Sequence, residues 1–139
     1  MALTVPYSYE LPFPLDVDMK IGVNAAFKED GHRFTLMLLC DENYEMADAL
    51  LIVETESSST LKFSYRRDGV TGDVETIPVD DWQTHKALQL YIRMERDYFM
   101  ITLNGKFTKT YPYNFSMKKV KDIWIDGDIT LYNFTPPQQ

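Results

Sequence analysis

Hydrophobic residues recur at every second position in short stretches along this chain, far more often than at helical spacing, and a period of two is that of a half-buried strand. Met19, Ile21 and Val23 share one face of such a stretch, and Phe34, Leu36 and Leu38 share another. Leu50 and Ile52 follow, then the run from Leu61 to Tyr65. Further on come Leu88, Leu90, Ile92 and Met94, then Phe99, Ile101 and Leu103, and last Ile123, Ile125, Ile129 and Leu131. Between the runs lie residues that accept the positive φ of tight hairpins. Asn104-Gly105 is the clearest of these; Asp68-Gly69 and Gly127-Asp128 mark further reversals, and Glu29-Asp30-Gly31 separates two early strands. Pro6, Pro12 and Pro14 put the N-terminal segment at a sheet edge, because proline has no N–H for a central ladder, and Pro136-Pro137 end the last strand. The stretch from Glu42 to Ala49 has room for one helical turn at most. The pattern predicts roughly ten or eleven short strands in an all-β fold, two antiparallel sheets packed as a jelly-roll sandwich.

Composition narrows the function classes. The 139 residues fit one domain spanning 1–139, with no internal repeat and no shift in composition to mark a boundary. With 45% hydrophobic and 14% aromatic residues the chain can fill a core, which excludes bulk disorder. Fourteen basic against 21 acidic residues give a net charge of −7, the wrong sign for a nucleic-acid backbone or an anionic membrane. The lone cysteine, Cys40, excludes an internal disulfide. The N-terminus has no basic, apolar leader and the chain has no long apolar run, so no membrane insertion is expected. A cytoplasmic protein, or one exported without a signal peptide, is the expectation.

Three stretches, taken in order, resemble the galectin family. Val5-Pro6-Tyr7, Leu11-Pro12 and Met19-Lys20-Ile21-Gly22-Val23 are similar to its opening segment. Phe99-Met100-Ile101-Thr102-Leu103-Asn104-Gly105 is close to its Phe-x-Val-x-Val-Asn-Gly strand and turn. Ile123-Trp124-Ile125-Asp126-Gly127-Asp128-Ile129-Thr130-Leu131 resembles its terminal Gly-Asp-Ile segment, and Arg33-Phe34-Thr35-Leu36-Met37-Leu38 its Arg-Phe strand. The likeness covers residues 4–134 and implies a galectin-like sandwich, a non-enzymatic carbohydrate-binding protein without cofactor, and an edge contact that could form a homodimer.

The family's sugar-binding pattern is missing. Galectins grip galactose with His-x-Asn-x-Arg on one strand, Val-x-Asn on the next and Trp-Gly-x-Glu-x-Arg after it; the polar groups bond sugar hydroxyls and the indole stacks on the ring. Aligned through Arg33-Phe34 and Ala49-Leu50, the first triplet falls on Leu51, Val53 and Thr55. The Val-x-Asn asparagine falls on Ser64 or Tyr65, the stacking indole near Thr71, and its carboxylate on Val74 or Glu75. A sugar hydroxyl facing Leu51 or Val53 would lose its water bonds and gain none, so ordinary β-galactoside binding is disfavoured.

Two readings follow. A rebuilt lectin would use Ser64, Tyr65, Arg66, Glu75 and Trp82. A non-lectin interaction module would hold a protein partner or a second copy through an apolar groove of Leu51, Val53 and Phe63, provided these point outward; a slip of one residue would make them core. Glu54 and Glu56 share a strand face and a glycosidase pair is conceivable, but a strand end entering the polar Ser57-Ser58-Ser59-Thr60 loop explains them. Asp41, Glu42 and Glu45, or Asp80 and Asp81, lack the spacing of a calcium loop and read as solvated turns, so no metal is expected.

Overall fold

The alternating runs are strands. The computed structural model describes residues 2–138, and among them lie eleven strands. They are β1 (Tyr7–Glu10), β2 (Lys20–Phe27), β3 (Phe34–Leu39), β4 (Ala49–Ser57), β5 (Thr60–Arg67) and β6 (Val70–Pro78), followed by β7 (Ala87–Met94), β8 (Tyr98–Leu103), β9 (Phe107–Pro112), β10 (Asp122–Gly127) and β11 (Ile129–Thr135). One 3₁₀ turn, Met117–Lys119, precedes β10. Strands β1-β10-β3-β4-β5-β6 form a six-stranded sheet and β11-β2-β7-β8-β9 a five-stranded one, with every pairing antiparallel. The proline-rich start supplies an edge strand, β1, as its missing donors require.

Turn chemistry sets the hairpins. Asn104 and Gly105 both carry positive φ (52° and 64°) between β8 and β9, as do Asp68 and Gly69 (53° and 77°) between β5 and β6, which matches the right-handed twist of the flanking strands. Gly127, with φ 148°, stands where the chain leaves the six-stranded sheet for the five-stranded one; a Cβ there would collide with the Arg33 carbonyl and the Phe34 backbone.

The inner faces of both sheets share one core. Leu36, Leu38, Leu51, Val53, Phe63, Ile123 and Ile125 of the first sheet meet Ile21, Val23, Leu90, Ile92, Phe99 and Ile101 of the second. One irregularity matters for function. Leu38 pairs with Leu51 but Leu39 pairs with Ala49, so Leu50 is an extra residue in β4, a β-bulge. Across it the alternation changes phase: Leu50 and Leu51 both join the core, while Ala49 and Ile52 face away from it.

Candidate functional site on the six-stranded sheet

The pairing registers define three transverse rows on the outer face of the six-stranded sheet. Across β1, β10, β3, β4 and β5 runs Ser8, Trp124, Met37, Ile52 and Ser64. On one side of it lie Glu10, Asp122, Leu39, Ala49, Arg66 and Thr71, and on the other Asp126, Thr35, Glu54, Lys62 and Thr76. These rows correct the expected site. Leu51 and Val53 are 0% exposed in the core rather than lining an outward groove, and Phe63 is with them. The Thr55 hydroxyl turns to the neighbouring strand, where it accepts the Phe34 N–H at 3.0 Å. The bulge at Leu50 causes the one-residue slip, and the outward triplet of β4 is Ile52, Glu54 and Glu56.

The other expected site residues disperse. Tyr65 lies against Gly72 and packs on the core from its edge. Glu75 pairs with Lys109 of β9, across the gap between the sheets. Trp82 is 1% exposed, with its ring 5.0 Å from that of Phe27, so it fills the core and offers no stacking surface. Only Ser64 and Arg66 of the expected set reach the outer face. The Ser64 hydroxyl is buried there without a hydrogen-bond partner among the described residues.

Arg66 organises a feature that sequence reasoning missed. Its Nε donates to the Ala47 carbonyl at 2.8 Å and its Nη2 to the Tyr44 carbonyl at 2.7 Å. These bonds fold residues 41–48, the connection between β3 and β4, back over the sheet as a strap. Asn43 shapes the strap by accepting the Glu45 N–H on its side chain and the Met46 and Ala47 N–H groups on its carbonyl. Tyr44 then stacks on Trp124, with ring centroids 4.2 Å apart and planes 6° from parallel. Below the strap, Leu39, Ala49, Ile52 and Trp124 form a small apolar cluster with Met37 and Ala47, separate from the main core. Trp124 alternates with the core residues Ile123 and Ile125 on β10 and so faces outward; Tyr44, in a loop, carries no periodic signal.

Charge occupies the rest of the face. Glu54 and Lys62 pair at 3.0 Å, and Arg33 approaches Asp126 and Asp128 at 3.5 and 3.6 Å. Beside Trp124 a cavity of about 280 Å³ is lined by Ser8, Glu10, Leu39, Glu42 and Asp122. Burial raises the Asp122 carboxyl above its ordinary pKa, and the negative charges of Glu10, Glu42 and Asp41 add to the rise. Among the described residues no three His, Cys, Asp or Glu side chains assemble as a metal-binding group. Asp80 instead pairs with Lys106 at 3.0 Å, and Asp81 accepts the Gln83 N–H within its own turn. No helix among the described residues is long and apolar enough to cross a membrane.

Two antiparallel sheets packed over one core, with the crossing at Gly127, define a jelly-roll-type sandwich, and comparison with known proteins supplies the family. The model of the galactoside-binding lectin family matches residues 6–135, and the chain belongs to that family. Among solved structures it is similar to sheep galectin-11, described in complex with glycerol, at a TM-score of 0.85 and 14% identity, over 96% of this chain and 98% of that one. A double variant of human galectin-16 gives a TM-score of 0.82 at 17% identity, over 96% of both chains. At such identities these likenesses speak for the fold. No curated protein matches the chain in sequence.

Proposed function

We propose that this protein is a non-enzymatic glycan-binding member of the galectin family whose sugar face has been rebuilt, and that it does not hold β-galactosides in the family's usual way. The observation that carries the reading is the outward triplet Ile52, Glu54 and Glu56 on β4. Shifting the sequence alignment by the one residue of the bulge still brings no His, Asn or Arg into place. Where the family pattern has donors, the face has carboxylates, which only accept, and one of them is tied to Lys62. The strap supports the same conclusion, because Tyr44 covers the indole on which a sugar ring could stack. The groups that remain for a glycan are Glu54, Glu56, Lys62, Thr76 and the unused Nη1 of Arg66.

A second reading has its own observation. The strap presents Tyr44, 40% exposed, and Met46, 70% exposed, so a protein partner or a second copy could dock on it. This replaces the Leu51 and Val53 groove as the interaction surface. Chromatography on immobilised lactose together with a broad glycan array tests both readings. Passage through the lactose column with array binding that Glu54→Ala abolishes supports the rebuilt lectin. Retention eluted by free lactose overturns it, and a blank array with concentration-dependent self-association favours the interaction module.

A further inference from the structure

We propose that the outer face of the five-stranded sheet is a second glycan-binding surface, centred on Tyr91, that takes a neutral oligosaccharide chain. This goes beyond the reading of the six-stranded face and does not depend on it. The registers again give the layout. Asn133, Asn24 and Gln89 stand side by side across β11, β2 and β7, and Thr135, Gly22, Tyr91, Thr102 and Thr108 form the next row. Among the described residues none of the three amides has a side-chain hydrogen bond; Asn104, which follows β8, closes the row by accepting the Gln89 backbone N–H at 2.7 Å. Free amides on neighbouring strands are about 4.8 Å apart, on the scale of one hexose ring. Each offers both donors and an acceptor, the pairing that sugar hydroxyls require.

Tyr91 supplies the apolar half of the recognition. A Cβ on Gly22 would lie 3.2 Å from the Tyr91 Cε1 and 3.1 Å from the Thr135 Cβ, so the absent side chain lets the ring lean across Gly22. The residue stays 57% exposed, which leaves aromatic surface open to the C–H face of a sugar. Two shallow basins flank it, one of about 130 Å³ with Gly22, Asn24, Gln89, Asn133 and Thr135, the other of about 360 Å³ with Lys20, Arg93, Met100 and Thr102. A ligand spanning both would run as a chain past the ring.

Charge selects the ligand class. In a chain of net charge −7 these rows contain no carboxylate and no charge. Of the two cations at the far end, Arg93 is neutralised by Asp18 and Glu95, each at 2.9 Å, and exposed Lys20 beside it is the one charge of the two basins without an ion pair among the described residues. A second copy of the chain fits less well, because a stable self-contact buries about 800 Å² per partner around an apolar centre, and the centre of this face offers only Tyr91 and half-buried Met100, while the other exposed aromatics, Tyr98 at the start of β8 and Tyr132 on the edge strand β11, lie at its margins.

The test is titration of the isotope-labelled full chain with cellohexaose, maltohexaose and mannohexaose, followed by amide NMR. At least one hexaose at millimolar concentration is expected to shift the Gly22, Asn24, Gln89 and Tyr91 amides. Tyr91→Ala should weaken that binding tenfold or more at an unchanged melting temperature, Tyr91→Phe should retain it, and Gln89→Ala should weaken it a few-fold. Glu54→Ala should leave it unaltered. Three results overturn the proposal: no hexaose moves these amides, Tyr91→Ala binds as wild type, or sedimentation shows the face occupied by a second copy. Array binding lost in Glu54→Ala but kept in Tyr91→Ala, with no hexaose response, removes this proposal while the reading of the six-stranded face stands.

Discussion

The two outward faces of the sandwich are made by the same strand alternation and carry opposite chemistry. Glu10, Asp122, Arg66, Asp126, Glu54 and Lys62 stud the six-stranded face, and four of the six are engaged within the protein: Arg66 on the strap, Glu54 with Lys62, and Asp126 with Arg33. The central rows of the five-stranded face have amides, threonines and one tyrosine, with no ion pair among them. Groups already bonded to each other bind a ligand only by exchanging partners, whereas unpaired amides exchange only water. The six-stranded face is therefore the more self-satisfied one.

Five substitutions sharpen the contrast. The largest effect belongs to Leu51→Asp, which buries an unpaired carboxylate in the core; it should destabilise by more than about 4 kcal/mol and abolish the cooperative melt seen by circular dichroism. Ile52→Asp, on the outer face beneath the strap where Ile52 is 5% exposed, should cost less than Leu51→Asp and leave a folded protein, because the strap can lift to hydrate the carboxylate. Such an outcome with the two residues reversed would put the register, and so every row described above, in error.

Next comes Arg66→Ala. It removes two bonds from a charged donor to carbonyls and should lower stability by about 1–3 kcal/mol. The released strap should uncover Trp124, 8% exposed beneath Tyr44, to acrylamide quenching, while Trp82, 1% exposed, stays protected as an internal reference. Unchanged quenching would mean that the strap holds without its guanidinium. Glu54→Gln should alter stability by less than about 1 kcal/mol, because its partner Lys62 is partly solvated, as a melt in parallel with wild type will read.

The smallest effect concerns Asp122. Its pKa is raised in the folded state, so the native protein binds more protons than the unfolded chain between the unfolded value of about 3.9 and the folded one. The penalty of the ionised carboxylate is absent below that window and fully present above it. Asp122→Asn should therefore raise the melting temperature slightly at pH 7, with the gain vanishing near pH 3. A gain that persisted at pH 3 would refer it to packing rather than charge.

Strand content, the hairpins at Asp68-Gly69 and Asn104-Gly105, and the proline-marked edge were readable because each rests on local physics: side-chain alternation, tolerance of positive φ, a missing N–H. The family was readable from motifs on those same strands. Of the candidate contacts Ser64, Tyr65, Arg66, Glu75 and Trp82, Ser64 and Arg66 lie on the outer face of the six-stranded sheet, a placement the sequence reading left open. What failed was β4. Leu50, Leu51, Ile52 and Val53 are all apolar, so nothing in their order shows where the bulge falls, and a one-residue shift exchanges core for surface. Trp82, an indole between polar neighbours, read as a surface group; its burial depends on Phe27, 55 positions earlier in the chain.

The sequence by itself determined that this chain makes two antiparallel sheets of the galectin type, since that follows from which residue types occur and in what order; that the family's galactose-gripping residues are replaced is the reading proposed above from the same residues. Tertiary structure alone decided which side of β4 meets solvent, that the Tyr44 strap closes on Trp124, and that three amides from β11, β2 and β7 meet in one uncharged row. Those outcomes depend on pairing between distant strands. Register and bulges fix that pairing, and composition does not encode it in any single segment.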